Sequence, residues 1–337
     1  MRTLICVSPG RFEYGTAEIR RPQKGESLIH IQKVGICGTD LHAFEGTQPY
    51  FNYPRILGHE IAAKFVEGDA AGFSPGDNVT VMPYFSCGNC IACRAGKPNC
   101  CERLEVCGVH RDGAMTEYLL VPSSSLLKGN VLSLEQLALV EPLAIGTHSL
   151  FRANVQANEN VLVVGAGPIG LGIIAIAGLL KANVLAIDVN DARLAFCSKN
   201  FKVAHTFNAL QKDLKETIKE VTSGDMPTLV IDATGNQKAI NQGFQYMAHG
   251  GRYVLVGLQK NDVTFSHPEF HKRESTLMSS RNATKADFEF VINALKSKQI
   301  DESKFLTHTM AFSQVKAQFS SLLQPENGVI KAMINMN

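Results

Sequence analysis

Apolar residues follow two different patterns along the chain, and the change between them lies near residue 150. Before that point, short runs such as SLIHIQKVGIC, DNVTVMPY and MTEYLLVP are separated by loops that contain glycine and proline. Short runs of this kind, bounded by turn residues, are typical of strands in an all-β arrangement. The first part of the chain is therefore predicted to be a β-domain whose loops carry the polar side chains.

After residue 160, apolar strands alternate with helical segments. The runs NVLVVGAG, NVLAIDVN, PTLVIDATG and GRYVLVGL are predicted to be buried strands, and PIGLGIIAIAGLLK and DARLAFCSKN are predicted to be helices. Such alternation predicts a parallel, doubly wound sheet, so the fold class is α/β. A helix in KADFEFVINALKSKQ and a terminal strand in GVIKAMINM complete the prediction.

Composition and charge exclude several classes of protein. With 45% hydrophobic and 19% charged residues among 337, the chain is globular rather than disordered. A formal net charge of +2 disfavours a nucleic-acid binder, which usually has a strongly basic surface.

The apolar run at the N-terminus is too short for a signal peptide. The stretch 161–180 is long enough to span a bilayer, but its glycines and proline fit a strand–turn–helix unit. We therefore expect a cytoplasmic protein with no membrane or nucleic-acid partner.

The turn after the first strand of the second part carries a dinucleotide-binding pattern. Gly165, Gly167 and Gly170 form a GxGxxG motif that also contains Pro168 and Ile169. Because the motif follows a strand and begins a helix, its glycines can form a tight turn, admit a pyrophosphate and allow close packing of the helix. The helix N-terminus then faces the phosphates. These five residues are predicted to bind the cofactor.

Two residues near the end of the next strand bear on the identity of the cofactor. Asp188 has the spacing expected of the acid that binds the adenosine ribose. Its negative charge would repel the additional phosphate of NADP, so NAD is the predicted cofactor. Arg193 lies five residues further on and keeps NADP open as an alternative.

Five of the nine cysteines lie within SCGNCIACRAGKPNCC, residues 86–101. Where thiols stay reduced, such a cluster favours a metal over disulfides. The spacing C-x2-C-x2-C-x7-C suits tetrahedral zinc, and four thiolates leave no open position, so this zinc is predicted to be structural. Free thiols and an iron–sulfur cluster are the alternatives, and Cys100 is an alternative fourth ligand. The predicted ligands are Cys87, Cys90, Cys93 and Cys101.

Three separate motifs offer ligands for a second metal. VGICGTDLH contributes Cys37, LGHE contributes His59 and Glu60, and VEPLAIGTH contributes Glu141. Three protein ligands and one open position would make a catalytic zinc site. The sequence leaves open which of the two carboxylates binds the metal directly.

Together and in this order, the motifs resemble the zinc-containing medium-chain alcohol dehydrogenase family over nearly the whole chain. The resemblance implies a GroES-like β-barrel catalytic domain at residues 1–147, an NAD-binding Rossmann domain at 148–281, and a C-terminal segment at 282–337 that returns to the catalytic domain. A glutamate at position 141 is typical of the sorbitol and threonine dehydrogenase branch of the family. By resemblance to sorbitol dehydrogenases, the ligands are Cys37, His59, Glu60 and a water, and Glu141 can reach the metal through that water. Ala63, where the family usually has glycine, and a slightly short segment around it depart from the pattern without touching the ligands.

The resemblance also implies an activity and the residues that carry it. Thr39 and His42 match the family's proton-relay positions, and Lys331 matches a position that neutralises Glu60 or faces the pyrophosphate. The segments CGVHRDGAMTEY and HPEFHKRESTLMSSRNAT resemble bacterial dehydrogenases that act on L-galactonate. A secondary alcohol of a sugar acid is therefore the expected substrate. His110 and Arg281 are candidate partners for its carboxylate.

Other functions remain open at this stage. A polyol dehydrogenase of the sorbitol type or a threonine-type dehydrogenase would use the same motifs. A zinc-stabilised binding protein without activity would need a damaged site, and a zinc-ribbon nucleic-acid module conflicts with the near-neutral charge. The family resemblance further implies a homodimer or homotetramer.

Overall fold

The computed structural model of the protein describes residues 1–49 and 51–336. The chain divides into two compact units. Unit 1 comprises Met1–Pro142 and Thr284–Asn337, and unit 2 comprises Leu143–Ala283. The boundaries expected from the sequence, after residues 147 and 281, lie a few residues from these divisions. The C-terminal segment belongs to the same unit as the N-terminal part of the chain.

Strands and helices are distributed as two sets. In chain order, the strands are β1 (Arg2–Ser8), β2 (Arg11–Thr16), β3 (Glu26–Ile36), β4 (Arg55–Ile56), β5 (Glu60–Gly68), β6 (Asn78–Val81), β7 (Tyr84–Phe85), β8 (Glu105–Val106), β9 (Tyr118–Pro122), β10 (Leu126–Lys128), β11 (Asn160–Val164), β12 (Asn183–Asp188), β13 (His205–Asn208), β14 (Leu229–Asp232), β15 (Arg252–Leu255), β16 (Thr276–Ser279), β17 (Leu306–Ala311) and β18 (Lys331–Asn335). The α-helices are α1 (Gly38–Glu45), α2 (Ile91–Arg94), α3 (Leu134–Ala138), α4 (Val140–Arg152), α5 (Pro168–Leu179), α6 (Asp191–Asn200), α7 (Leu214–Val221), α8 (Gln237–Gly243), α9 (His267–Lys272), α10 (Lys285–Lys296) and α11 (Val315–Gln318).

The main sheet of unit 1 is built around β3. Its strand order is β10-β6-β5-β3-β18-β17, with β9 also paired to β3. Smaller sheets, β2-β1-β4 and β7-β8, complete the strand pairing. Because β3 pairs antiparallel with both β5 and β18, the end of β3 meets the starts of the other two strands. In this register Gly35 lies opposite Glu60, and Ile36 lies opposite Ala332.

The core of unit 1 joins the two ends of the chain. Phe12 and Phe44 come from the N-terminal part, and Phe319 comes from the C-terminal segment. The ring of Phe319 lies 4.9 Å from that of Phe12 and 5.1 Å from that of Phe44, measured between centroids. Edge-to-face and tilted contacts at such distances favour aromatic pairing in addition to the burial of apolar surface. The C-terminal segment is therefore held to unit 1 by packing as well as by strand pairing.

Unit 2 contains a six-stranded parallel sheet of order β13-β12-β11-β14-β15-β16. The order reverses direction at β11, which makes the sheet doubly wound, as the alternation of strands and helices predicts. The predicted α/β fold class is confirmed. Strands β11, β12 and β14 are almost fully buried, in agreement with their continuous apolar sequences.

The apolar stretch at 161–180 forms β11, a turn and the twelve-residue helix α5. Within residues 1–49 and 51–336, no helix combines the length and the apolar character needed to cross a membrane. The strand–turn–helix interpretation of this stretch is therefore correct.

We predict that Phe319→Ala destabilises unit 1 by about 3–5 kcal/mol, because it removes a fully buried ring from the aromatic cluster. Urea denaturation followed by circular dichroism measures the change. Val131→Ala is the control, since Val131 is 68% exposed and its truncation should change stability by less than about 0.5 kcal/mol. Equal denaturation midpoints for Phe319→Ala and the unsubstituted protein would contradict the packing role.

Candidate functional site

Three side chains with metal-binding atoms meet where β3 ends and β5 begins. Cys37 directly follows β3 and is the N-cap residue of α1, whereas His59 and Glu60 lie at the start of β5. One ligand atom from each residue lies within 4.8 Å of the others. His59 is 5% exposed and Glu60 is fully buried. The structure therefore brings Cys37 next to His59 and Glu60, which lie more than 20 positions further along the chain.

Asp40 connects the two chain segments that carry these side chains. Its carboxylate accepts hydrogen bonds from the backbone N–H of Cys37 at 2.9 Å and of Gly58 at 3.1 Å. Its Oδ1 also lies 3.8 Å from Nδ1 of His59. This distance is too long for a hydrogen bond but short enough for an electrostatic contact, and carboxylates are common beside histidines that bind metals. Asp40 thus fixes the position of Cys37 and lies beside the ring of His59.

Glu60 is held by a residue from the opposite end of the chain. Nζ of Lys331, the first residue of β18, lies 2.5 Å from Oε1 of Glu60 and 3.2 Å from the carbonyl oxygen of Ile36. Burial alone would lower the pKa of Lys331, but the negative charge of Glu60 raises it above its usual value. Of the two roles expected for Lys331, the structure shows the contact with Glu60.

Gly35 provides the space that the Glu60 carboxylate occupies. A Cβ atom at position 35 would overlap Oε2 of Glu60 and would lie 2.9 Å from its Cβ. The cross-strand register explains this, because Gly35 lies directly opposite Glu60. Glycine at position 35 is thus needed to leave room for the Glu60 carboxylate.

Glu141 approaches the same region from the first turn of α4 but lies outside the three-residue group. It is 4% exposed, and the hydroxyl of Tyr84 donates a hydrogen bond to its Oε1. Burial raises the pKa of the Glu141 carboxyl, and burial together with the charge of Glu141 raises that of Tyr84. Glu60, rather than Glu141, is therefore the carboxylate placed beside Cys37 and His59.

Acidic and basic side chains lie together in this buried region. The buried carboxylates of Asp40, Glu60 and Glu141 lie near the thiol of Cys37, and Lys331 provides a compensating positive charge. Burial would lower the pKa of His59, but the charges of Asp40 and Cys37 raise it well above its usual value.

Two buried atoms of this group also lack hydrogen-bond partners. They are Nδ1 of His59 and Oε2 of Glu60. Unpartnered polar atoms are costly in an interior, and a sulfur, nitrogen and oxygen donor set is one that zinc accepts. The residues therefore fit a zinc ion.

The cysteine loop forms a second group of ligands. The Sγ atoms of Cys87, Cys90, Cys93 and Cys101 lie within 4.8 Å of one another, whereas Cys100 is exposed. The sulfur of Cys101 accepts hydrogen bonds from the backbone N–H of Cys87 and of Arg103, both at 3.3 Å. Backbone hydrogen bonds lower the pKa of Cys87 to about 6, while burial raises that of Cys93 to about 11. Four sulfurs in one cluster fit a tetrahedral zinc site.

The glycine motif of unit 2 has the geometry of a phosphate-binding turn. Gly165 has φ +101°, and a Cβ there would lie 2.8 Å from Thr234 Cγ2. A Cβ on Gly170 would overlap the carbonyl oxygen of Gly165. At Gly167, by contrast, the nearest atom to an added Cβ is Nη1 of Arg193, at 3.9 Å. The space above Gly167 is thus open, as close approach of a pyrophosphate requires.

Pro168 and Ile169 begin α5, where proline suits the first helical position because its missing N–H is not needed there. Asp188 ends β12 and is 7% exposed. Its carboxylate accepts hydrogen bonds from the backbone N–H of Ala166 at 2.7 Å and of Asn190 at 2.9 Å. Nη1 of Arg193 lies 3.9 Å from Oδ2 of Asp188. Asp188 and Arg193 therefore lie beside the glycine turn, as their predicted roles require.

The predicted relay and substrate residues are located as follows. Thr39 is half-buried in the first turn of α1, and His42 is exposed one turn later on the same helix. Nδ1 of His42 lies 3.2 Å from the hydroxyl of Thr47. His110, in unit 1, is exposed, and its Nδ1 accepts a hydrogen bond from the backbone N–H of Val106 at 3.0 Å. Arg281 is exposed and belongs to unit 2.

Sequence reasoning missed Asp40 and Tyr84. Asp40 had a local signal, because it lies three residues after Cys37 and completes a capping box at the start of α1. Tyr84 had no such signal, since its partner Glu141 is 57 residues away along the chain.

Comparison with known proteins identifies the family. Residues 23–131 match the alcohol dehydrogenase GroES-like domain, and residues 168–297 match the zinc-binding dehydrogenase family. The chain is 41% identical to L-galactonate-5-dehydrogenase of Escherichia coli K12, covering 99% of this chain and 98% of that protein. It is 35% identical to L-threonine 3-dehydrogenase of Caldanaerobacter subterraneus subsp. tengcongensis, covering 73% and 72%.

A solved structure of an alcohol dehydrogenase has the same fold as this chain. An alcohol dehydrogenase of Escherichia coli CFT073, complexed with the cofactor NADH, superposes with a TM-score of 0.93 at 30% identity. The superposition covers 100% of this chain and 99% of that one. The chain belongs to the zinc-containing medium-chain alcohol dehydrogenase family. This confirms the predicted family, the GroES-like and Rossmann architecture and the enzyme class, and it supports the predicted zinc and nicotinamide cofactors.

We predict that Gly35→Ala weakens zinc binding at the Cys37–His59–Glu60 group by about 10–100-fold, because the new methyl group displaces the Glu60 carboxylate. Titration with a zinc chelator, followed by metal analysis, measures the loss. Gly178→Ala is the matched control, since a Cβ on Gly178 meets no atom within 4 Å. Equal zinc retention by the two variants would show that position 35 need not be glycine.

Proposed function

We propose that the protein is a zinc- and NAD-dependent dehydrogenase that oxidises a secondary alcohol of a sugar acid of the L-galactonate type. The observation that carries the proposal is the convergence of Cys37, His59 and Glu60, whose buried Nδ1 and Oε2 atoms lack hydrogen-bond partners. A buried donor set of this composition suits a zinc ion with one position left for a substrate oxygen.

The proposed reaction needs zinc and NAD, and each would be bound by residues of a different unit. Zinc held by Cys37, His59 and Glu60 would lower the pKa of an alcohol hydroxyl, and NAD held at the glycine turn would accept the hydride. Asp40 fixes the backbone of Cys37, and Lys331 restrains the Glu60 carboxylate. These contacts keep the ligand atoms in place without themselves binding the metal.

Thr39 and His42 are proposed to carry the alcohol proton to solvent. They lie three residues apart on α1, a spacing that places two side chains on the same face of a helix. Thr39 is half-buried and His42 is 62% exposed at its side chain, so the pair leads from the interior to the surface. A hydroxyl followed by an imidazole is a suitable pair for proton transfer.

NAD is the proposed cofactor because Asp188 presents a carboxylate beside the glycine turn. That charge can accept hydrogen bonds from a ribose diol and disfavours a phosphate at the same place. Arg193 lies close to the Asp188 carboxylate and to the open space above Gly167, and it is proposed as a further cofactor-binding residue. The NADH complex of the structural relative supports the same choice.

Cys87, Cys90, Cys93 and Cys101 are proposed to hold a structural zinc ion. Four sulfur ligands satisfy a tetrahedral ion and leave no position for a substrate oxygen. The two metal sites therefore have different roles, and the difference follows from their ligand numbers.

The substrate proposal rests on the 41% identical L-galactonate-5-dehydrogenase. His110 is proposed as a carboxylate partner, because an imidazole N–H can donate a hydrogen bond to a carboxylate. Arg281 is proposed as a second partner for the carboxylate, to which its guanidinium would add a positive charge. The 35% identical L-threonine 3-dehydrogenase favours a threonine-type substrate as the second candidate.

Three expectations from the sequence stay predictions. They are polyol oxidation as a further alternative, assembly as a homodimer or homotetramer, and a cytoplasmic location.

We predict that L-galactonate reduces NAD at least about tenfold faster, in kcat/KM, than sorbitol or L-threonine does, a difference of about 1.4 kcal/mol in transition-state binding. Absorbance of NADH at a fixed enzyme concentration measures the three rates. Turnover of threonine or sorbitol with L-galactonate inert would overturn the sugar-acid proposal and leave the dehydrogenase proposal intact.

We predict that Cys37→Ser removes one of two zinc ions and abolishes turnover while the fold remains, because only an open metal position activates the alcohol. Cys90→Ser is expected to destabilise the cysteine loop and to lower the thermal midpoint instead. Metal analysis, circular dichroism and NADH formation distinguish these effects. Cys197→Ser controls for loss of a buried thiol outside both groups. Equal loss of fold in both variants would contradict the division of roles.

A further inference from the structure

Tyr84 and Glu141 form a buried pair beside the Cys37–His59–Glu60 group. Tyr84 is 6% exposed and Glu141 is 4% exposed, and the tyrosine hydroxyl donates to Oε1 of the carboxylate. The position of the phenol ring is fixed from two sides. Tyr84 belongs to β7, which pairs with β8, and its ring packs edge-to-face against Phe288 with a centroid distance of 6.2 Å.

This arrangement bears on the number of protein ligands at the metal. Cys37, His59 and Glu60 already place three ligand atoms within 4.8 Å of one another. Glu141 is a fourth potential ligand, and its charge interacts with both His59 and Glu60. A four-coordinate zinc bound to all four side chains would have no position for a substrate oxygen. A carboxylate this close must therefore be restrained if the site is to stay open.

The hydrogen bond from Tyr84 is the contact placed to restrain Glu141. It engages Oε1 of Glu141 from a rigid ring, whereas one oxygen of Glu60 has no partner and the other is held by Lys331. Of the two carboxylates, the one held by Tyr84 lies outside the ligand group.

We propose that Tyr84 is a positioning residue that holds Glu141 away from the metal and thereby keeps one coordination position open for substrate. This inference rests on the proposed function, because it assumes a metal at Cys37, His59 and Glu60. In Tyr84→Phe the ring still packs against Phe288, but Glu141 loses its donor and can move to the metal.

The test uses the full-length protein with cobalt(II) in place of zinc and imidazole as a probe of the open position. Imidazole shifts the visible absorption of cobalt where it binds directly. The four-cysteine site has no position for it, so the shift reports on the other site alone. We expect Tyr84→Phe to bind imidazole at least about tenfold more weakly than the unsubstituted protein, because the Glu141 carboxylate competes for the position.

Two further variants separate this competition from a general loss of structure. Tyr253→Phe is the matched control, since Tyr253 is fully buried and donates its hydroxyl hydrogen bond to the carbonyl oxygen of Ile240 in unit 2. It should bind imidazole normally. The double variant Tyr84→Phe with Glu141→Gln should recover normal binding, because a carboxamide is a much weaker competitor for the metal.

The outcomes distinguish this inference from the proposed function. Normal imidazole binding by Tyr84→Phe, or weak binding that persists in the double variant, would overturn the inference alone. A Glu141→Gln single variant that loses cobalt from this site would overturn it too, since Glu141 would then be a direct ligand. If the unsubstituted protein takes up no cobalt beyond the four-cysteine site, the proposed function fails and the inference fails with it.

Discussion

The need to stabilise several acidic groups in one buried place governs the structure of unit 1. Asp40, Glu60 and Glu141 are each less than 5% exposed, and burying a charge without compensation costs several kcal/mol. Each carboxylate has a different partner: backbone N–H groups for Asp40, Lys331 for Glu60, and Tyr84 for Glu141. These partners stabilise the carboxylates individually, and the basic side chains of His59 and Lys331 lie beside them. A cation bound where Cys37, His59 and Glu60 meet would stabilise the carboxylates further, so this acidic interior suits a metal.

This electrostatic requirement explains why the C-terminal segment must return to the N-terminal part of the chain. Lys331 begins β18, which pairs with β3, and it can reach Glu60 only because β5 pairs with the other edge of β3. Gly35 contributes the space for the carboxylate from the middle strand of the three. The site is therefore a property of the sheet as a whole, because its residues come from three strands that are distant in the sequence.

The sequence predicted those parts of the molecule whose signals are local. The parallel sheet followed from strand and helix periodicity, and Asp188 followed from its spacing after the glycine turn. The strands β13 and β16 were not predicted, because neither is fully buried and both lack the continuous buried apolar run that marks β14, which has the same length. Tyr84 was not predicted for a different reason, because its role depends on Glu141 and only the fold brings the two residues together. The choice between Glu60 and Glu141 could not be made from the sequence, because it depends on distances between three separate segments.

The two groups of metal ligands place opposite demands on the protein. The cysteine group draws all its ligands from residues 87–101, and backbone N–H groups of the same loop stabilise its sulfurs, so it can form locally. A local loop can saturate its metal, because nothing else has to bind there. A site that admits substrate must instead stop at three ligands while further acidic groups lie close by, and no short loop can both supply ligands and restrain a competing one. Because Cys37, His59 and Glu60 come from distant segments, other parts of the fold can reach the acidic groups around them. Lys331 restrains Glu60, and Tyr84 restrains Glu141. An open coordination position therefore depends on the tertiary structure, whereas a closed one depends only on the loop.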